Sequence, residues 1–480
     1  MQSRQSKTAR RVLPLWANDT HSALNRTHIA RLREPRTVED VVNAVRRARA
    51  DGEALAIAGG RHAMGGQQFL TDGSLLDMRR LNRVRELDEE RGLLEVEAGI
   101  TWPDVMRGYL ARPNGKTSYW GIRQKQTGAD RLTIGGAVAA NIHGRCLTAP
   151  PFIGDIQALE VVTADGDVVR CSRSERPELF RHVVGGYGLF GVVTAAKLRL
   201  APRRRVQRNV ELLDIDGLVE TLDQRIASGA LYGDFQFAID PTTPQFMRTG
   251  ILSCYHPTDP ATAIPPRQRR LSQGDWNRLL ELAHRDKRRA FEEFCAFYLS
   301  TSGQLYWSDT HQLNLYLENY HAALDERLGS DISGGEMITE IYVPRARLGA
   351  FMDDVRQEFL NNPIDLIYGT VRLTEPDRDS ALPWAQDRYA CVIFNLHVDH
   401  YPRAILTARQ AFIRLIDHAI THGGSYYLTY HRFARQDQVI ACHPAISSFL
   451  TTKQRLDPTG VFQSDWYRHL VALLAGELPC

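Results

Sequence analysis

The chain has 480 residues, 43% hydrophobic and 24% charged, which is too long for one ordinary core and ordinary in composition for a globular protein of two or three domains. Lys and Arg number 59 against 56 Asp and Glu, and the resulting net charge of +3 removes the main argument for a general nucleic-acid binder. Seven scattered cysteines, with no CxxC and no paired spacing, argue against a disulfide framework or a zinc site and fit a reducing, cytoplasmic setting.

The first 16 residues are basic, but their apolar run is far too short for a signal-peptide core, and no run of 18 apolar residues predicts a membrane span. Residues 37–52 predict a helix. Thr37 caps it, Glu39 and Asp40 fill its first turn, Val38, Val41, Val42, Val45 and Ala48 form one stripe, and Gly52 stops it. A short buried strand follows at 54–58 and runs into the glycine loop "AGGRHAMGGQ". Within that loop His62 is open to four readings: a turn residue, a metal ligand, a general base or an attachment point for a cofactor. Further strands are predicted at 74–78 and 92–100, and a hairpin at 158–172 turns at Asp165-Gly166. "GGYGLFG" (185–191) contains a formal GxGxxG at Gly186, Gly188 and Gly191, but it leads into the strand-like 191–200 rather than a helix, which is the wrong context for a dinucleotide fingerprint.

The texture changes near Pro202. From there to about residue 440 the pattern predicts a separate α+β module, with one long amphipathic helix at 275–299 and strands at 337–344 and 389–399. The arginines at 267–270 and 285–289 read as a solvated helix face, with a site for a phosphate-bearing substrate as the sharper alternative.

Five motifs occur in order: "AGGRHAMGGQ" with "DMRRLNRV", "VEAGITWPDV", "TIGGAVAANIHG" with "IGDIQALEVVTADGDVV", "ELFRHVVGGYGLFGVVTAAKLRL", and "LDPTGVFQSDW". Together they resemble the vanillyl-alcohol oxidase, or p-cresol methylhydroxylase (PCMH), type of FAD-binding oxidoreductases, closest in feel to the alditol oxidase, cytokinin dehydrogenase and decaprenylphosphoryl-ribose oxidase branches. The resemblance implies an α+β fold: a two-subdomain FAD domain over 1–202, a substrate (cap) domain over 203–440, and a C-terminal segment, 441–480, returning to the FAD domain. It implies that Gly59, Gly60, Arg61, His62, Ala63 and Met64, with Gln67 nearby, wrap the FAD pyrophosphate. It places Thr127, Gly128, Asp130, Thr133, Gly135, Gly136, Asn141, His143 and Gly144 along the cofactor's other side, and Gly191 and Val193 near the adenine. In several members the histidine at the position of His62 is bonded to the flavin, so a covalent link there is expected. A second link through cysteine is not, because the segment 116–130 has none and Cys146 is misplaced.

The reaction implied is hydride transfer from a CH–OH carbon of a sugar-like or polyol alcohol to the flavin, with oxygen or another acceptor taking the electrons. The alternatives are a C=C reductase of the sterol Δ24-reductase type and a flavin-binding protein without turnover. Candidate catalytic residues are Arg372, Tyr430, Glu340 and His397, with Glu336, Tyr427 and His431 as further choices. Arg372 has a plain alternative as a salt-bridge partner of Glu375. No metal, no nucleic acid and no membrane span are expected. The lysine that the decaprenylphosphoryl-ribose oxidase has near Tyr430 is missing, which puts that activity in doubt.

Overall fold

A computed structural model describes residues 14–110, 118–313 and 320–477. Most of the basic N-terminal stretch therefore lies outside the described residues, as does the start of 116–130.

The fold is α+β, built on three main sheets. The helix Val38–Asp51 forms between a Thr37 capping box and a left-handed Gly52, and buries Val41, Val42, Val45 and Ala48. It packs beside a four-stranded sheet ordered Leu15–Ala17, Thr27–Arg33, Gly73–Asp77, Leu55–Ala58, whose last three strands run parallel. A five-stranded antiparallel sheet follows, with Val192–Arg199 at its centre between Leu93–Glu97 and Ile156–Val162. The 158–172 hairpin pairs as the sequence predicts, and Gly166 turns at φ 80. Gly191 has φ 140, and a Cβ there would lie 2.4 Å from Val161 Cγ1; the last glycine of the GxGxxG thus answers a strand-entry requirement, since Val192–Arg199 follows at once.

Between residues 205 and 426 the chain builds an eight-stranded antiparallel sheet. Its central strands are Tyr232–Phe237, Leu366–Thr374, Tyr389–Asp399 and Gly334–Pro344. Register fixes which side chains share a face. Gln236, Thr370, Ile393 and Glu340 form one cross-strand row; Arg372, Cys391 and Tyr342 form the next; Tyr368, Asn395 and Ile338 form a third on the same face.

The expected single helix at 275–299 is two. Gln273–Arg285 ends and Lys287–Leu299 begins at Asp286, whose extended backbone (φ -153) breaks the helix while its carboxylate caps the next one through Arg289 N at 3.0 Å. Apolar periodicity continues across the break, which hid it, yet each half has its own cap. Arg278 clasps the two helices through both oxygens of Glu293 at 2.8 Å. Near the C-terminus, Phe462 bridges Leu55 in parallel and enters the core with Val41, Val45 and Leu76.

Candidate active site

A cavity of about 500 Å³ runs from the first glycine loop to the face of the eight-stranded sheet just described. That volume lies within the range of cofactor and ligand sites. One wall is the loop Gly59–Met64 with the N-terminus of the helix Ile134–Ala140; the other carries Tyr368, Arg372, Ile393, Asn395 and Tyr430. The apolar sides of the two clasped helices, including Trp276, Phe291 and Phe294, close the far end.

At the loop, a Cβ on Gly59 would fall 2.1 Å from Thr133 Oγ1, so only glycine lets the two walls approach. Thr133 meanwhile caps its helix through Gly136 N at 3.2 Å. Arg61 sits at φ 61 and its Nη2 donates to Asp77 Oδ2 at 3.0 Å. Burial would raise the Asp77 carboxyl, but bonds from Arg79 and the charge of Arg61 hold it below the usual range. His62 Nδ1 is hydrogen-bonded to His21 Nε2 at 3.0 Å. Burial first, then the charge that His21 would carry, pushes its pKa down to about 3, so the imidazole is neutral. Gln67 orders the same loop: Oε1 accepts from Gly65 N at 2.9 Å and Nε2 donates to Leu428 O at 2.5 Å.

On the sheet side, Tyr430 donates to Glu340 Oε2 at 3.4 Å, and the other Glu340 oxygen is bonded to His143 Nε2. Glu340 and His143 are both buried. Burial, then the Glu340 charge, raises the Tyr430 hydroxyl well above its ordinary value, so it stays protonated. Cys391 Sγ lies within 4.8 Å of the His143 and Glu340 ligand atoms. Burial and Glu340 push that thiol well up, and a protonated thiol is a poor metal ligand. Arg372 is 5% exposed, and among the described residues it makes no ion pair; Glu375 is taken instead by Arg345 and Arg388.

Of the residues singled out from the sequence, Gly59 to Met64, Gln67, Thr127, Gly128, Thr133, Gly135, Gly136, Gly191 and Val193 line the cavity, as do Arg372, Tyr430, Glu336 and Tyr427. Four do not. Asp130 is turned to the buried Lys125 (2.5 Å), Asn141 donates to Asp377 and accepts from Ile153 N, His143 stands behind Glu340, and Gly144 is pressed against the Lys125 backbone. Among the catalytic candidates, Glu340 sits one layer behind Tyr430. His397 is off the cavity, 3.4 Å from Asp399 and edge-on to His284. His431 stacks on Phe433, and Tyr427 donates to Ala140 O at 2.6 Å. The stretch 423–434 is strand only at Ser425–Tyr426, so strand alternation does not decide between Tyr430 and His431.

A family described as FAD binding domain matches residues 29–172. An uncharacterised oxidoreductase, ORF5 in the fasciation locus of Rhodococcoides fascians, is 36% identical over 37% of this chain and 39% of its own length. Cytokinin dehydrogenase 9 of Oryza sativa subsp. japonica is 29% identical over 47% of this chain and 44% of its own. Cytokinin dehydrogenase 7 of the same plant is 27% identical over 68% and 57%. The matched stretches thus span less than two thirds of each relative. The chain carries an FAD-binding domain of the PCMH type. These similarities agree with the resemblance of its motifs to the vanillyl-alcohol oxidase flavoproteins.

The cavity of this PCMH-type domain fits FAD on its own chemistry. Among the described residues, the backbone N–H groups of Gly60, Arg61 and Ala63 have no protein acceptor, although their loop lines the cavity. Backbone donors left unspent at a cavity wall are the means of holding a pyrophosphate. Arg145, Asp234, Gln236, Tyr368 and Asn395 also line the wall and were not among the residues expected from the sequence. The alternation of "YGDFQF" (232–237) carried the signal for Asp234 and Gln236, but only register shows which sheet face meets the cavity. No described helix is long and apolar enough to cross a membrane.

Proposed function

We propose that this protein is an FAD-dependent oxidoreductase that oxidises a CH–OH carbon of a small substrate. Residues 1–202 hold the cofactor in this reading, 203–440 cover the substrate, and 441–480 return to the cofactor domain. The observation that carries it is the hydrogen-bonded line Tyr430–Glu340–His143, which begins at the cavity wall and ends in the protein interior. Bound FAD supplies the hydride acceptor. The chain's own task is then to remove the hydroxyl proton. Tyr430 is protonated and cannot act as a base unaided. It takes the substrate proton as it passes its own to Glu340, and His143 holds Glu340 in place. The helices at the cavity's far end exclude water from this transfer.

His62 is the proposed attachment point for the cofactor. A neutral imidazole keeps a lone pair for attack on an electrophilic carbon, and His62 is neutral at any working pH. A yellow colour that survives acid precipitation, and is lost with His62→Ala, supports the link; colour released by acid from the wild type refutes it.

The test of the activity is anaerobic bleaching of the flavin by a panel of alcohols, with oxygen or other acceptors added afterwards to restore the colour. Bleaching by alcohols supports the reading. A second reading, oxidation beside a C–N bond, draws support from the names of the rice relatives. Bleaching by amines alone moves the assignment there. Reduction only by NAD(P)H refutes both.

A further inference from the structure

Buried positive charge collects where the cavity meets the eight-stranded sheet. Arg372, 5% exposed, lines the cavity, and its Nε has no protein partner. Arg145, 7% exposed, lines the same wall; its Nε is also unpartnered, and its one carboxylate neighbour, Asp234, lies 3.6 Å away with no hydrogen bond at Asp234 Oδ1. Arg208 is buried behind them on neutral groups, Tyr255 Oη at 2.8 Å and Thr301 Oγ1 at 3.0 Å. Lys125 is neutralised by Asp130 at 2.5 Å. Three guanidinium groups therefore share this region with two carboxylates that have no cation bonded to them, Asp234 and, behind Tyr430, Glu340. The local excess is one positive charge in a region shielded from water.

A guanidinium is not deprotonated in a protein, so its charge has to be met. Burial without a counter-charge is among the costliest arrangements a fold can carry. Arg372 and Arg145 have their open side toward the cavity, and a planar fork of donors suits an oxyanion. The charges also act on each other: Lys125 is pushed down to about 8 by burial, against the pull of Asp130 and with a push from Arg145 and Arg372. Beyond the arginines the lining includes the apolar Ile393, Ile338, Phe291 and Phe294, interrupted by Asn395, whose amide donates to Glu336 at 2.6 Å.

We propose that Arg372 and Arg145 form a subsite for a carboxylate, so that the substrate is a hydroxy acid with an apolar body rather than a neutral polyol. This rests on the oxidoreductase reading above and sharpens its substrate class. A carboxylate seated on the two guanidinium groups neutralises the excess charge and points the apolar part toward the far end.

The test is binding to the FAD-loaded protein, measured by calorimetry and by the flavin absorbance, with benzoate, its neutral isostere benzamide, and phenyl phosphate. Benzoate is expected to bind at least ten-fold tighter than benzamide. Arg372→Leu is expected to abolish that preference and Arg372→Lys to restore part of it, which separates lost charge from lost folding. Arg91→Leu, on an exposed turn away from the cavity, is expected to leave it unchanged. Equal affinity for benzoate and benzamide overturns the proposal. So does a ten-fold preference for phenyl phosphate over benzoate, which makes the site a phosphate site, or loss of FAD from Arg372→Lys, which gives the arginine to the cofactor. Binding is read without turnover, so an enzyme that prefers benzoate yet is bleached by no alcohol refutes the oxidation and leaves the subsite standing.

Discussion

Asp457 is where the C-terminal segment is fastened to the cofactor loop, and its replacement has a calculable consequence. Its Oδ2 accepts from Lys453 Nζ and from Phe462 N at 2.8 Å, and its Oδ1 accepts from Val461 N at 2.9 Å. Lys453 is 1% exposed and Asp457 4%. Val461 O in turn accepts from Leu55 N at 2.7 Å, at the head of the strand that enters the glycine loop. Asp457→Ala leaves a buried ammonium unpaired and strips two N–H groups of their acceptor. Removing one partner of a buried pair costs about 3–5 kcal/mol. Each orphaned buried donor costs about 1–3 kcal/mol. Local relaxation recovers part of this, so a loss of about 4 kcal/mol is expected. Urea unfolding followed by tryptophan fluorescence measures it, and FAD retention on gel filtration reports whether the loop loosens with the segment. Lys453→Met combined with Asp457→Asn removes both charges and keeps one acceptor, and is expected to recover at least half the loss. A stability change below about 1 kcal/mol for Asp457→Ala would show that the segment is not held by this carboxylate.

Tyr430→Phe and Glu340→Gln are each expected to slow flavin reduction by about 10²–10⁴-fold while FAD stays bound, and the double variant to be no slower than the worse single one, as for groups acting in one transfer. Stopped-flow reduction measures this, and losses that multiply refute the relay. His443 is buried against Tyr426, and burial pushes its pKa down to about 3 from 6.5. The unfolded chain binds that proton first, so the stability is fully present above pH 6.5 and falls toward pH 3 by about 1.4 kcal/mol per unit. His443→Phe should gain on the wild type as urea midpoints are compared at pH 7, 6 and 5; a constant gap refutes it. Asp286→Ala removes the cap between the clasped helices and is expected to cost about 1 kcal/mol, with Asp286→Asn costing less, read as the thermal midpoint.

Local order was legible because local chemistry sets it. Thr37 and Gly52 bound their helix through hydrogen bonds and φ angles a few residues long, and the Asp165-Gly166 turn closed its hairpin for the same reason. The order of the glycine loops identified the cofactor domain, since a loop that must approach another wall closely tolerates only glycine at Gly59. The break at Asp286 was harder to read, because apolar periodicity on either side masks a change in one residue's backbone. His143 and His397 show a different limit. Both are histidines in suggestive settings, yet one backs Glu340 and the other pairs with Asp399 away from the cavity.

The amino-acid sequence by itself determined most of the elements and the cofactor loops, which depend on residues within a turn or a strand of each other. Only the tertiary structure decided that Arg145 and Arg372, from distant strands and loops, share one cavity wall with Asp234 beside Arg145, and that Tyr430 reaches Glu340. Those meetings depend on the register of an eight-stranded sheet whose neighbouring strands are far apart in the chain. No local propensity encodes that register; it is fixed when whole faces are buried together.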